Sequence, residues 1–116
     1  MEDQLVPEDD RAARYLDAFE RLRDPSHQRI YADYEWRGMF LDAGLTVASS
    51  EAFIKPDRKL IDWAEMQGST PAVIDRLQVM LAQAPSVVAE WMQPKCVGTP
   101  DAMFTHHYII IVGRKA

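Results

Sequence analysis

The sequence predicts an α+β domain with roughly five helices and a two-stranded antiparallel sheet. Helical periodicity recurs along most of the chain, whereas residues 45–55 and 103–114 have the β-branched composition of strands. The run 108–112 is apolar at every position, which is typical of a strand covered on both faces. A chain of 116 residues supports one modest core, so residues 1–116 are expected to form a single domain.

Two amphipathic helices are predicted in the first part of this domain. The first covers residues 8–24 and ends where Asp24 precedes a proline, because that position disfavours helical backbone. A second helix is predicted over about 32–43, with Gly44 as its left-handed stop. The apolar face of the first helix comprises Ala12, Tyr15, Leu16, Phe19 and Leu22.

The strand at 45–55 changes its alternation partway, for which we predict a β-bulge near Ser49-Ser50. Pro56-Asp57 is then expected to turn the chain out of the sheet. The residues that follow, 56–102, form a predicted helical insertion, and 103–116 the terminal strand. The insertion contains three predicted helices, at 58–66, from Thr70-Pro71 to Ala84, and at 86–92, and a loop at 93–102.

Charge and composition exclude several classes of function. The net charge of −5 has the wrong sign for phosphate backbones or anionic lipid, so neither nucleic acid nor membrane is an expected partner. No apolar run approaches the roughly 20 residues that span a bilayer, and residues 1–10 carry five acids and no base, unlike a signal peptide. We therefore expect a soluble, cytoplasmic protein. The single cysteine, Cys96, permits no internal disulfide and no Cys-based zinc site.

The motif richest in chemistry is Arg-Asp-Pro-Ser-His at residues 23–27, between the first two helices. His27 is placed in a loop, where a histidine can act as a general base or bind a substrate by hydrogen bonding. The alternative is structural: Asp24 and Ser26 end one helix and lead into the next. The pair His106-His107 predicts no metal site, because adjacent strand residues face opposite sides of the sheet.

Aromatic residues offer a second, weaker indication of a site. Trp36, Trp63 and Trp91 lie on predicted helices and supply either the floor of a ligand pocket or packing in the core. The sequence has no glycine-rich phosphate loop and no Gly-x-Ser-x-Gly motif. A complete active site is not visible in these residues.

Short motifs along essentially the whole chain match one known enzyme family. They are Val6-Pro7-Glu8-Asp9, Phe19 to His27, Glu35-Trp36, Ala43 to Val47, Phe53 to Pro56, Asp62-Trp63, Gly68 to Pro71 and Ile110 to Lys115. On these motifs the chain resembles the latter half of class I S-adenosylmethionine-dependent methyltransferases. Within that family it is most similar to the methyltransferase type 11 and quinone-biosynthesis-related group.

The resemblance implies the C-terminal part of a Rossmann-like fold. The family binds S-adenosylmethionine on its first half, through a Gly-x-Gly-x-Gly turn and an acidic residue, and neither feature occurs here. By resemblance, residues 1–3 end the fifth strand of the family sheet and 45–55 form the sixth. Residues 103–114 would be the seventh, antiparallel between them, and 56–102 an insertion that covers the substrate. No cofactor is expected on this chain alone, and S-adenosyl-L-methionine is implied only with the missing half.

A nearly absent fifth strand would leave residues 103–114 with an open edge. Open apolar edges invite pairing, so we predict a homodimer in which two copies join these strands antiparallel and complete one sheet. A cofactor-binding half or a full-length methyltransferase is the other partner that the resemblance implies.

The resulting functional prediction is the substrate-side segment of a small-molecule methyltransferase that is inactive alone. Its predicted catalytic residue is His27, its substrate-binding residues are Asp3, Arg23, Asp24 and Trp36, and no metal is expected. One alternative is a non-catalytic interaction or dimerisation module. Another is a small-ligand binding domain with its pocket between the helical insertion and the sheet.

Overall fold

A computed structural model describes residues 1–115, and it confirms the α+β class with five helices. Its sheet, however, has three strands and not two. None of the helices in this part of the chain is long and apolar enough to cross a membrane. The elements in chain order are β1 (Glu2–Gln4), α1 (Asp10–Arg23), α2 (Asp33–Asp42), β2 (Leu45–Lys59), α3 (Leu60–Glu65), α4 (Pro71–Ala82), α5 (Ser86–Met92) and β3 (Met103–Lys115).

The third strand is β1, so the predicted two-stranded sheet is wrong. Strand order is β1-β3-β2, with β3 central and antiparallel to both neighbours. This is the order that the resemblance implied for the fifth, seventh and sixth strands. The resemblance placed residues 1–3 at the end of the fifth strand, but the two-stranded prediction left β1 out, because three residues, two of them acidic, carry no alternation of apolar and polar side chains.

The edge of β3 that was expected to be open is occupied over most of its middle. Beyond the three paired residues of β1, the Leu5 N–H donates to the His107 carbonyl at 2.9 Å, and the Ile111 N–H to the Met1 carbonyl at 2.9 Å. The prediction that a second copy pairs with this edge of β3 is therefore not supported, because residues 1–5 of the same chain occupy the edge. The homodimer stays a prediction, with β1 now the strand that lies at the edge.

Strand β2 is longer and more irregular than predicted. A bulge lies between Val47 and Ser49, next to the predicted position. A second irregularity falls between Lys55 and Arg58, where Asp57 has a φ of 56°. The strand thus continues through the expected turn to Lys59, because a bulge accommodates a proline that cannot donate to the ladder.

Helices cover both faces of the sheet, but not along its whole length. On one face Phe19 of α1 stacks on Trp63 of α3 at 5.2 Å between centroids, and Phe104 meets both rings edge-on. That cover ends before Ile110 and Val112, which are 40% and 46% exposed. The prediction that β3 is covered on both faces is therefore correct only for its first part.

The other face carries α2, which packs Trp36 on Ile109 and Ile111. Phe40 of the same helix lies across Gly113, where an added Cβ would stand 2.8 Å from the Phe40 ring. The side-chain-free position thus allows close approach of helix and strand.

Gly113→Ala is expected to lower the free energy of unfolding by about 1–2 kcal/mol, because the new methyl group forces Phe40 to move. Urea denaturation measures the change. Gly38→Ala in α2 is the matched control, since nothing lies within 4 Å of its added Cβ. There we expect a gain of about 0.5–1 kcal/mol from helix propensity. Equal stability of wild type and Gly113→Ala would contradict the close packing.

The histidine His107 should make stability depend on pH. Its ring stacks on Trp91 at 3.7 Å, and Nε2 donates to the Trp91 carbonyl at 2.6 Å. Burial lowers the pKa of His107, an effect that the Trp91 carbonyl opposes and nearby His106 reinforces. The unfolded chain therefore binds a proton first as pH falls below the ordinary value of about 6.5, and stability declines with decreasing pH.

Unfolding by urea at about pH 7.5 and 5.5 tests this dependence around the ordinary titration range of histidine. The wild-type free energy of unfolding should fall more across this interval than that of His107→Gln, which keeps a donor for the Trp91 carbonyl. An identical fall in both proteins would assign the pH dependence to other groups.

Candidate functional site

A cavity of about 620 Å³ lies at the end of the sheet where β1 meets the loop between α1 and α2. Its volume falls in the range of roughly 300–1,000 Å³ that is usual for small-molecule sites. The walls come from β1, the loop, α2 and the paired strands β2 and β3. The polar and aromatic residues that define it include Asp3, His27, Arg29, Trp36, Lys55 and Tyr108.

Three of the five predicted site residues line this cavity, although they are distant in sequence. Asp3 belongs to β1, His27 to the loop and Trp36 to α2. Arg23 and Asp24 do not line it. The predicted pocket between the helical insertion and the sheet is also not where this cavity lies, because none of its lining residues comes from 56–102.

The loop takes its shape from a buried carboxylate on α1. Asp17 is 6% exposed, and its Oδ1 accepts the backbone N–H of Ile30 at 2.8 Å. The same oxygen lies 3.4 Å from Nε2 of His27, whose side chain is 17% exposed. Asp17 therefore contacts the loop at two points, the His27 side chain and the Ile30 backbone. The sequence signal that was overlooked is an acid next to Leu16 on the apolar side of an amphipathic helix.

Asp24 shapes the start of the same loop. Its carboxylate accepts the Ser26 N–H at 3.0 Å and the Ser26 hydroxyl at 2.6 Å. The hydroxyl bond in particular lowers the pKa of Asp24. These contacts are those of the structural alternative, in which Asp24 and Ser26 end α1 and lead out of it.

Arg23 is directed to α3. Its guanidinium lies 4.3 Å above the Trp63 ring, and Nε donates to the Trp63 carbonyl at 2.7 Å. Burial lowers the pKa of Arg23. The residue thus joins the C-terminal end of α1 to α3, and its contacts are with the core rather than with the cavity.

Aromatic rings form flat parts of the cavity wall. Tyr31 and Trp36 meet edge to face at 5.4 Å, and the indole nitrogen of Trp36 has no hydrogen-bond partner within residues 1–115. Tyr108 on β3 stacks on Phe53 of β2 at 5.5 Å. Burial raises the pKa of Tyr108, so that its hydroxyl stays neutral.

Cations lie beside these rings. The Lys55 ammonium stands 4.4 Å from the centre of the Tyr108 ring. The Arg29 guanidinium stands 4.5 Å over Tyr31 and is also paired with Glu35. Sequence reasoning missed Lys55 and Tyr108, because only the pairing of β2 with β3 brings them to the cavity.

The remaining histidines are turned apart, as their strand positions require. His106 Nε2 lies 3.3 Å from the buried Glu20 carboxylate, whereas His107 packs on Trp91. Within residues 1–115 no three His, Cys, Asp or Glu side chains come together as a metal site. Trp63 is 2% exposed and belongs to the core, so Trp36 is the tryptophan that lines the cavity.

Comparison with known proteins relates this fold to solved structures. No family model matches the sequence, and no curated protein does. A Bacillus halodurans protein provisionally assigned as a methyltransferase matches with a TM-score of 0.88 and 23% identity, over 98% of this chain and 53% of its own. This chain therefore has the fold of one part of a methyltransferase-like protein. The YcgJ protein from Bacillus subtilis matches with a TM-score of 0.82 and 22% identity, over 98% and 49%. The chain thus spans about half the length of both structures.

Arg23→Met is expected to reduce the free energy of unfolding by about 1–2 kcal/mol, because the Trp63 carbonyl loses its donor and the ring loses its cation. Thermal and urea denaturation measure the loss. Arg21→Met, an exposed site on the same helix, should change stability by less than about 0.5 kcal/mol. If the two variants are equally stable, the contact of Arg23 with α3 carries no stabilisation.

Proposed function

We propose that this chain is the acceptor-binding part of an S-adenosylmethionine-dependent methyltransferase for a small molecule. The observation that carries the proposal is the coincidence of its fold with about half of the Bacillus halodurans protein, which is provisionally assigned as a methyltransferase. The sequence lacks the Gly-x-Gly-x-Gly turn of that family. S-adenosylmethionine would therefore be held by another half and supply the methyl group there.

The acceptor would occupy the 620 Å³ cavity. Tyr31, Trp36 and Tyr108 contribute aromatic contact area to its lining, which supports an aromatic acceptor. His27 offers a ring nitrogen to the acceptor group, either to orient it or to take its proton. Asp3 lies at the exposed margin of the cavity, in β1, and would bind a polar group of the acceptor.

The partner in this proposal is a cofactor-binding half, either on the same polypeptide or on a separate one. We also propose a cytoplasmic location and, for the chain alone, a homodimer through the β1 edge. Because the bases of the chain are outnumbered 18 to 13 by acids, we do not propose a nucleic acid or membrane partner.

Specific observations favour the two alternatives as well. A small-ligand binding domain is favoured by the cavity volume of about 620 Å³, which falls in the usual range for small-molecule sites. A non-catalytic interaction module is favoured by the outer side of β1 and by the exposed Ile110 and Val112. Unlike the methyltransferase proposal, both alternatives predict no methyl transfer when the chain is combined with a cofactor-binding half.

Isothermal titration of the 116-residue protein with S-adenosylmethionine tests the assignment of the cofactor to another half. We expect no binding by this chain. We expect micromolar binding after it replaces the matched half of the Bacillus halodurans protein in a chimera. Sedimentation velocity on the same sample gives the oligomeric state. Micromolar binding by the chain alone would refute the absence of a cofactor site, and a folded chimera without binding would refute the shared architecture.

In a reconstituted enzyme, His27→Ala should lower kcat by about 10²-fold or more, the usual contribution of general acid–base catalysis. Arg21→Ala, an exposed change on α1, is the control and should leave kcat unchanged. Unchanged turnover of His27→Ala would return the loop to a structural role.

A further inference from the structure

The carboxylate beneath the loop has a consequence for the chemistry of His27. Asp17 Oδ1 is shared by the Ile30 N–H and by Nε2 of His27, and Asp17 is 6% exposed. A buried carboxylate is retained only where donors satisfy it. Both groups that face this oxygen must therefore present hydrogens to it.

An ionised carboxylate accepts hydrogen bonds and donates none, so Nε2 of His27 must carry the hydrogen. A neutral imidazole has one hydrogen, which leaves Nδ1 as a bare acceptor. We infer that Asp17 is a positioning residue that fixes His27 in its Nε2–H tautomer. Nδ1 then remains the ring nitrogen that is free to accept from a ligand in the cavity.

This tautomer restricts what the cavity can take. A group opposite Nδ1 of His27 has to be a donor, such as a hydroxyl or an N–H, since an ether or carbonyl oxygen would leave two acceptors facing each other. The aromatic residues Tyr31, Trp36 and Tyr108 in the lining favour an aromatic ligand. The ligand class is thus a hydroxylated aromatic molecule, for which phenol is the simplest probe.

The functional part of this inference rests on the proposed methyltransferase. The acceptor O–H bond would break and its proton pass to Nδ1 of His27 as the new O–C bond forms. S-adenosylmethionine, held by the other half, would supply the methyl group, and its methyl–sulfur bond would break at the same time with the electron pair left on sulfur. The imidazolium that results lies beside Asp17, whose negative charge stabilises it.

The tautomer is measured by long-range ¹H–¹⁵N correlation on ¹⁵N-labelled protein, at about pH 8.5 and thus above the ordinary titration range of histidine. His27→Gln identifies the His27 signals among the three histidines of the chain. We expect Nε2 protonated and Nδ1 bare in the wild type. A proton on Nδ1 would overturn the inference. This measurement is made on the wild-type protein and does not depend on whether a variant folds.

Asp17→Ala and Asp17→Asn together test the cause. The amide oxygen can still accept from the Ile30 N–H, so the loop should stay folded, which the dispersion of the same spectra checks. Because that same oxygen faces Nε2 of His27, Asp17→Asn should keep the Nε2–H tautomer, whereas Asp17→Ala removes the acceptor and should give a mixture of the two His27 tautomers. Asp10→Asn removes one charge from the exposed start of the same helix and should leave the tautomer unchanged. An unaltered tautomer in a folded Asp17→Ala protein would overturn the role of Asp17.

The ligand class is tested by titration with phenol and with anisole, which has the same ring but no donor. Phenol should bind at least tenfold more tightly and shift the Nδ1 resonance of His27. Equal binding of both probes, or no binding of phenol up to its solubility, would overturn the class of ligand. Neither experiment contains S-adenosylmethionine, so failure here is separate from failure of the calorimetric test.

Discussion

The pairing of residues 1–5 with β3 is the contact on which the cavity depends. Leu5 continues the ladder beyond β1 and joins the core formed by Trp36, Ile109 and Ile111. It also forms a bridge with Tyr31, and the next N–H, from Val6, donates to the Tyr31 carbonyl. One short extended segment thus connects the sheet to the loop that carries His27. Without it, the cavity would lose the wall formed by β1 and the loop would lose its attachment.

Helix α1 supplies two buried carboxylates, and each faces a histidine. Asp17 meets His27 at the cavity, whereas Glu20 meets His106 inside the core, at 3.3 Å. Buried charges are costly unless paired, so both pairs constrain the placement of the helix. The pairs nevertheless differ in what they can do: His106 is enclosed by Trp63 and other rings, while the His27 ring borders open space.

Much of the helical structure could be predicted from the sequence, since Pro25, Gly44 and Thr70-Pro71 fix helix ends by backbone geometry. The longer strands were visible in their composition. What could not be predicted is whatever depends on distant contacts. The strand β1 has no pattern of its own, and the extension of β2 past Pro56 exists because β3 offers a partner. Asp3, His27 and Trp36, predicted as site residues, line one cavity, whereas the involvement of Lys55 and Asp17 becomes visible only in the folded chain.

The close approach of Phe40 to Gly113 also settles a problem that hydrophobicity leaves open. Residues 109–112 are Ile, Ile, Ile and Val, so a slip of β3 by one residue would exchange equivalent side chains between the two faces at little cost in burial. The slip would, however, place Val112 or Arg114 beneath Phe40, where even an added Cβ would stand 2.8 Å from the ring. Gly113 thus favours one alignment of the central strand at this end, as the buried Phe104 does at the other. In that alignment Tyr108 lies beside the cavity and Ile109 in the core.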